Sequence, residues 1–175
     1  MNKFKRNITA LLVAASVILG VVTPVFAVNS PVSGKSNSNT TVSGTVQADN
    51  TVAVNGVTST TKKATISNTV DGHVVSSIET GTIGKKYDSV TLILNNTTKV
   101  KAKIAKSKKA KKTKKVVIKS AAGQKLTASQ FDKKAFKGFK GKIVVKKSSM
   151  TKKQYNKLVK RLRKGGFKGK IVYKK

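Results

Sequence analysis

The chain has 175 residues, enough for one modest domain, and 38 Lys/Arg against five acids give a formal charge of +33. The charge is lopsided: residues 1–98 hold eight Lys/Arg and four acids, residues 99–175 hold thirty and Asp132 alone. That half repels itself at low salt and attracts polyanions of almost any kind. The absence of Cys excludes disulfides, a thiol nucleophile and Cys-based metal sites, and Trp is absent too.

Residues 1–27 read as a secretory signal peptide. Lys3, Lys5 and Arg6 precede an apolar run, Ile8–Val22, and Val25-Phe26-Ala27 offers a small-residue cleavage site after Ala27. The run is short for a membrane span and is followed by Pro24. No cysteine follows for lipidation and the last residues show no sorting signal, so the expected mature chain is exported without a covalent anchor. Residues 28–63 are rich in Ser, Thr, Asn, Gly and Val. Val52, Val54 and Val57 hint at weak strands, but large apolar side chains are few, and the segment is expected to be a flexible linker.

Residues 64–175 are expected to form the folded domain. Ile66 and Val70 precede Asp71-Gly72, a two-residue turn pair, and Val74, Ser76 and Ile78 alternate after it, predicting a hairpin. Ser89–Leu94 is a further predicted strand with Val90, Leu92 and Leu94 on one face, and Lys99–Ile104 alternates Val100, Ala102 and Ile104 with lysines. Lys106–Lys115, seven of ten residues Lys, reads as a solvated loop. Lys115–Lys119 is again a strand.

Residues 126–175 contain one unit written twice. Thr127 and Gln130, then Thr151 and Gln154, have the spacing of a capping box. Leu126 with Phe131, and Met150 with Tyr155, have that of a hydrophobic staple. Each unit closes on a lysine-bracketed strand, Ile143-Val144-Val145 or Ile171-Val172-Tyr173. The helix starts are offset by 24 residues and the strands by 28, so the second copy holds one extra helical turn. Its buried face is predicted as Tyr155, Leu158, Val159 and Leu162, with Gly165 and Gly166 as the stop. Val116-Val117-Ile118 stands 27 residues before Ile143, and Leu92-Ile93-Leu94 a further 24. Strands at this spacing, joined by helix-length segments, predict parallel neighbours. The expected fold is α/β: a short right-handed solenoid of the leucine-rich-repeat type behind a signal peptide and a linker.

Residues 64–175 resemble the BspA-like leucine-rich-repeat proteins of bacterial surfaces. The resemblance is carried by Ile66–Ile78, which is similar to that family's opening segment, by Ala135-Phe136-Lys137-Gly138, and by the lysine-flanked strands. It is degenerate, since Ala105–Lys109 lacks the Ala-Phe-x-Gly element. It implies an exported binding or adhesion protein and brings no catalytic residues.

Little in the chain suggests catalysis. His73 lies beside a predicted turn, two residues from Asp71, where a histidine is ordinarily just exposed. No phosphate-binding glycine loop or metal-spaced cluster occurs, and Gly138, Gly141, Gly165, Gly166 and Gly169 fit helix stops and turns. No enzyme activity, cofactor, metal or small-molecule substrate is expected. In the strands, Val116, Ile118, Ile143, Val145, Ile171 and Tyr173 should face the core. That leaves Lys115, Lys119, Lys142, Lys146, Lys170 and Lys174 as two columns flanking Val117, Val144 and Val172 on the exposed, concave side. These six lysines are the candidate site for anionic cell-wall or glycan polymers, with a protein partner on the concave face as a further candidate. The competing readings are an extracellular DNA-binding protein and a membrane-active one, the latter through the basic amphipathic segment 151–164.

Overall fold

In the computed structural model the described residues are 29–84, 87–105 and 113–175. Both the predicted signal peptide and most of the Lys106–Lys115 run lie outside them. The segment 28–63 is not a flexible linker. It forms β1 (Pro31–Asn37), β2 (Thr40–Val46) and β3 (Val52–Ser59), paired antiparallel in sequence order. Val42, Val46, Val52, Val54 and Val57 are buried while Ser and Thr side chains alternate outward. The small apolar residues thus sit at strand period, and the Asn and Asp that suggested a linker make the turns. Asp49 accepts from the Thr51 amide at 3.1 Å, and Asn50 takes φ +60°.

Beyond β4 (Lys63–Ile66) come β5 (Thr69–Val70) and β6 (His73–Ile78), which form the predicted hairpin. Its turn residues Asp71 and Gly72 have φ of +50° and +80°, as a type I′ turn requires. The side-chain phase differs from expectation: Val75, Ser77 and Ile78 are buried and Val74 is 45% exposed. A bulge explains it. In the parallel pairing of β6 with β3, Val52 faces Val75 but Ala53 faces Ser77, so one residue of β6 is unpaired and the alternation slips.

Then follow β7 (Ser89–Leu94), β8 (Lys99–Val100), β9 (Lys115–Ser120), β10 (Lys142–Lys146), α1 (Lys152–Lys164) and β11 (Ile171–Lys174). They complete two sheets. One is parallel throughout, in the order β11-β10-β9-β7-β4. The other is mixed, β1-β2-β3-β6-β5 with β8 on β6, and is nearly barrel-shaped. Its two ends meet where a Cβ on Gly34 would stand 2.8 Å from the Asp71 nitrogen. From β4 onward the chain alternates between the sheets, and the inner faces share one core that includes Val54, Ile78, Leu92, Ile118, Ile143, Phe131, Phe136 and Leu158.

This corrects the predicted right-handed leucine-rich-repeat solenoid, which would place a helix after each strand. Among the described residues α1 is the single α-helix, and the mixed sheet occupies the other side of the core. The first of the two sequence copies shows why. After one 3-10 turn at Ala128–Gln130, Phe131 bridges to Val100 and Asp132 N–H donates to the Val100 carbonyl at 2.8 Å. The carbonyls of Lys134 and Ala135 accept from Lys103 and Ile104 at 3.0 Å each. The backbone groups that a helix would pair internally are used sideways, against the preceding stretch of chain.

In the second copy, four residues longer, a helix does form. Thr151 Oγ1 accepts from Gln154 N–H at 3.3 Å, and Leu158 and Leu162 are buried, with Tyr155 and Val159 half-buried. Its end is a Schellman motif. Phe167 N–H donates to Leu162 O and Gly166 N–H to Arg163 O, both at 3.0 Å, with Gly166 at φ +91°. Gly165 is required for a different reason: a Cβ there would lie 1.6 Å from the Lys133 carbonyl oxygen. The copies also share a stacked pair, Phe139 and Phe167, with ring centroids 6.2 Å apart.

Candidate anion-binding face

The parallel sheet buries one face and leaves the other to solvent, and register decides which side chains meet there. Val116 pairs with Ile143 and Ile143 with Ile171, as the 27- and 28-residue spacings predict. On β7 the partner of Val116 is Val90, a spacing of 26, so the expected alignment of Leu92–Leu94 with Val116–Ile118 is two residues out. Val116, Ile118, Ile143 and Val145 are fully buried, while Ile171 and Tyr173 on the edge strand are half-buried.

The outer face is a shallow trough of about 420 Å³. One row runs in register across all five strands, Thr65, Thr91, Val117, Val144 and Val172, and its middle three residues are the trough floor. One wall has Lys63 beside Ser89 and Lys115 beside Lys142; the other has Lys119 and, paired in register, Lys146 and Lys174. The walls are four residues apart along the strands, about 13 Å. Neighbouring lysines on strands about 4.8 Å apart repel by roughly 0.9 kcal/mol in bulk water, and by more near a protein surface. Val144 is 8% exposed, as expected where flanking lysine stems lie over an apolar row. No carboxylate side chain lines the trough. The one ion pair between described residues, Lys114 to Asp88 at 2.9 Å, lies beyond it.

Of the six candidate lysines, Lys115, Lys119, Lys142, Lys146 and Lys174 line this trough and Lys170 does not. Lys170 stands ahead of β11, where its carbonyl accepts from Ile143 N–H at 2.8 Å. Lys63, Ser89, Thr91 and Lys175 also line it and lie outside the six expected lysines. The signal was present: counting back from Lys115 by 26 residues reaches Ser89, and by 26 more Lys63. It is weak locally because Lys63 ends a Ser/Thr/Asn-rich stretch whose composition reads as linker rather than strand.

Packing at the end of the sheet holds the last lysine row in place. The rings of Tyr155 on α1 and Tyr173 on β11 stack with centroids 4.6 Å apart. Tyr155 OH donates to the Ile171 carbonyl at 3.3 Å and Tyr173 OH to that of Met150 at 2.5 Å. Lys152 lies over both rings, at 5.1 and 5.3 Å from their centroids. Lys146 Nζ donates to a main-chain oxygen of Lys175.

His73 is where it was expected, beside the hairpin turn, with Nδ1 3.2 Å from the Asn50 carbonyl oxygen. Among the described residues no group of three or more His, Cys, Asp or Glu could hold a metal ion, and no helix is long and apolar enough to cross a membrane. No protein-family model, curated protein or solved structure matches the chain.

Proposed function

We propose that this is an exported, non-enzymatic protein that binds linear anionic polymers of the cell exterior on the outer face of its parallel sheet. The observation that carries the reading is the trough, with two lysine walls, a Val/Thr floor and no lining carboxylate side chain. A polyanion lying across the strands relieves the repulsion between wall lysines and releases its own counterions, so binding is strong at low salt and falls steeply as salt rises. Export rests on residues 1–27 alone.

Cell-wall and glycan polyanions fit the trough better than single-stranded nucleic acid. Its floor has no aromatic side chain on which bases could stack. A membrane-active helix fits less well, because Leu158 and Leu162 of α1 are spent on the core.

The test compares two variants of equal charge. Changing Lys119, Lys146 and Lys174 to Gln is expected to weaken binding to a purified anionic wall polymer at least several-fold more than changing Lys106, Lys108 and Lys109. Equal losses at matched salt would mean that only total charge counts, and the site would have to be abandoned. Double-stranded DNA as competitor tests the ligand class: displacement at lower phosphate concentration than the wall polymer itself would favour nucleic acid.

A further inference from the structure

The helix offers a second basic surface on the side of the molecule away from the trough. In the β10-α1-β11 crossover, α1 turns Leu158 and Leu162 into the core that the sheet's inner face shares. It therefore packs on the face opposite the lysine walls. Lys153, Lys157, Lys160 and Lys164 follow one another at spacings of four, three and four residues, and all are exposed. That spacing sets them in one stripe about 16 Å long, on the side of the helix away from the apolar face of Tyr155, Leu158, Val159 and Leu162.

Three features distinguish this helix face from an ordinary solvated one. Seven of the 13 residues of α1 are basic and none is acidic, whereas a face kept only for solubility mixes both signs. Lys152 and Lys153 also stand in the first turn, where the helix dipole disfavours cations. In addition, no stripe lysine has a hydrogen-bond or ion-pair partner among the described residues. Arg161 and Arg163, by contrast, are tied to the carbonyls of Phe131 and Phe167. The helix, about 10–12 Å across, and the core beneath it stand between stripe and trough, so a polymer segment seated on one does not reach the lysines of the other. A polyanion on one therefore leaves the lysines of the other free to take a second chain.

We infer that the protein is bivalent: one linear anionic polymer lies in the trough, a second on the helix stripe, and each molecule ties two polymer chains together. This rests on the proposed trough site and adds to it a cross-linking role.

A sandwich assay with the full chain tests it. Long-chain polyphosphate is tethered to a surface, the protein is bound, and capture of a soluble fluorescent polyphosphate is measured. The wild type is expected to capture the second polymer. With Lys153, Lys157, Lys160 and Lys164 changed to Gln, binding to the tethered polymer should stay within about two-fold while capture falls at least ten-fold. Gln has nearly the helix propensity of Lys, so α1 should persist, and circular dichroism checks this. Four Gln changes at Lys106, Lys108, Lys109 and Lys111 should leave capture intact. Capture by the helix variant equal to wild type, as a dimer presenting two troughs would give, overturns the inference and leaves the trough standing. Equal loss in the Lys106–Lys111 variant reduces it to bulk charge and overturns it too. If the Lys119/Lys146/Lys174 variant binds the tethered polymer as wild type does, the trough itself fails, and bivalency with it.

Discussion

Tyr87 is 2% exposed, and its hydroxyl donates to the Val57 carbonyl at 3.1 Å, joining the segment before β7 to β3. Burial holds its phenol above the usual range. The unfolded chain gives up this proton near pH 10 and the folded chain only at higher pH. The contribution is therefore fully present below about pH 10 and is lost as pH rises toward the folded value. Tyr87→Phe, which cannot ionise, should cost about 1 kcal/mol at pH 8 through the lost hydrogen bond. Urea midpoints of the two proteins should then converge as pH rises above about 10, since lysine titration is common to both. A constant gap would show that the hydroxyl is not held in the protonated state by the fold.

At the scale of elements, the two copies show how far local signals reach. Thr127 and Thr151 carry the same helix-start signature, yet Thr151 heads thirteen residues of helix and Thr127 one 3-10 turn. The Gln partners differ as well. Gln130 accepts from its own Thr127 N–H at 2.8 Å and donates to Asn95 and Thr98, whereas Gln154 accepts from Ala128 of the other copy at 3.0 Å. Thr151→Ala should lower stability by about 1 kcal/mol in urea unfolding, and Thr127→Ala by clearly less. Equal effects would mean that the Thr151 cap supports no more than a single turn. Strand positions and register from Val116 to Tyr173 were legible, because β-branched runs bracketed by lysine recur at a fixed spacing. The segments between strands were not. Whether Phe131–Gly138 coils or pairs sideways depends on unpaired backbone groups at residues 100–104, a tertiary fact outside any local window. The same holds for residues 28–63, where valines too small to signal a core are buried because β6 supplies the neighbouring strand.

Over the whole molecule, the candidate site was more legible than the fold that carries it. Alternation within β9, β10 and β11 set five of the six lysines on the face that carries the trough even though the surrounding architecture is two-sheeted rather than a repeat solenoid. Strand period and register are enough to set which side chains share a face; what covers the opposite face is not needed. The charge has a consequence for stability as well. With thirty Lys/Arg against Asp132 in residues 99–175, compaction works against self-repulsion that salt screens. The melting temperature should rise between about 10 and 150 mM sodium chloride, and an unmoved transition would show that the charges are too dispersed to matter. The account's central claim is that polyanions bind in the trough and not wherever lysine is dense. Amine-acetylation footprinting read by mass spectrometry, with and without a purified wall polymer at physiological salt, measures this residue by residue. Strong protection of Lys119, Lys142, Lys146 and Lys174, with little change across Lys106–Lys112, is the predicted pattern; uniform protection of all these lysines, or protection greatest in Lys106–Lys112, would contradict it.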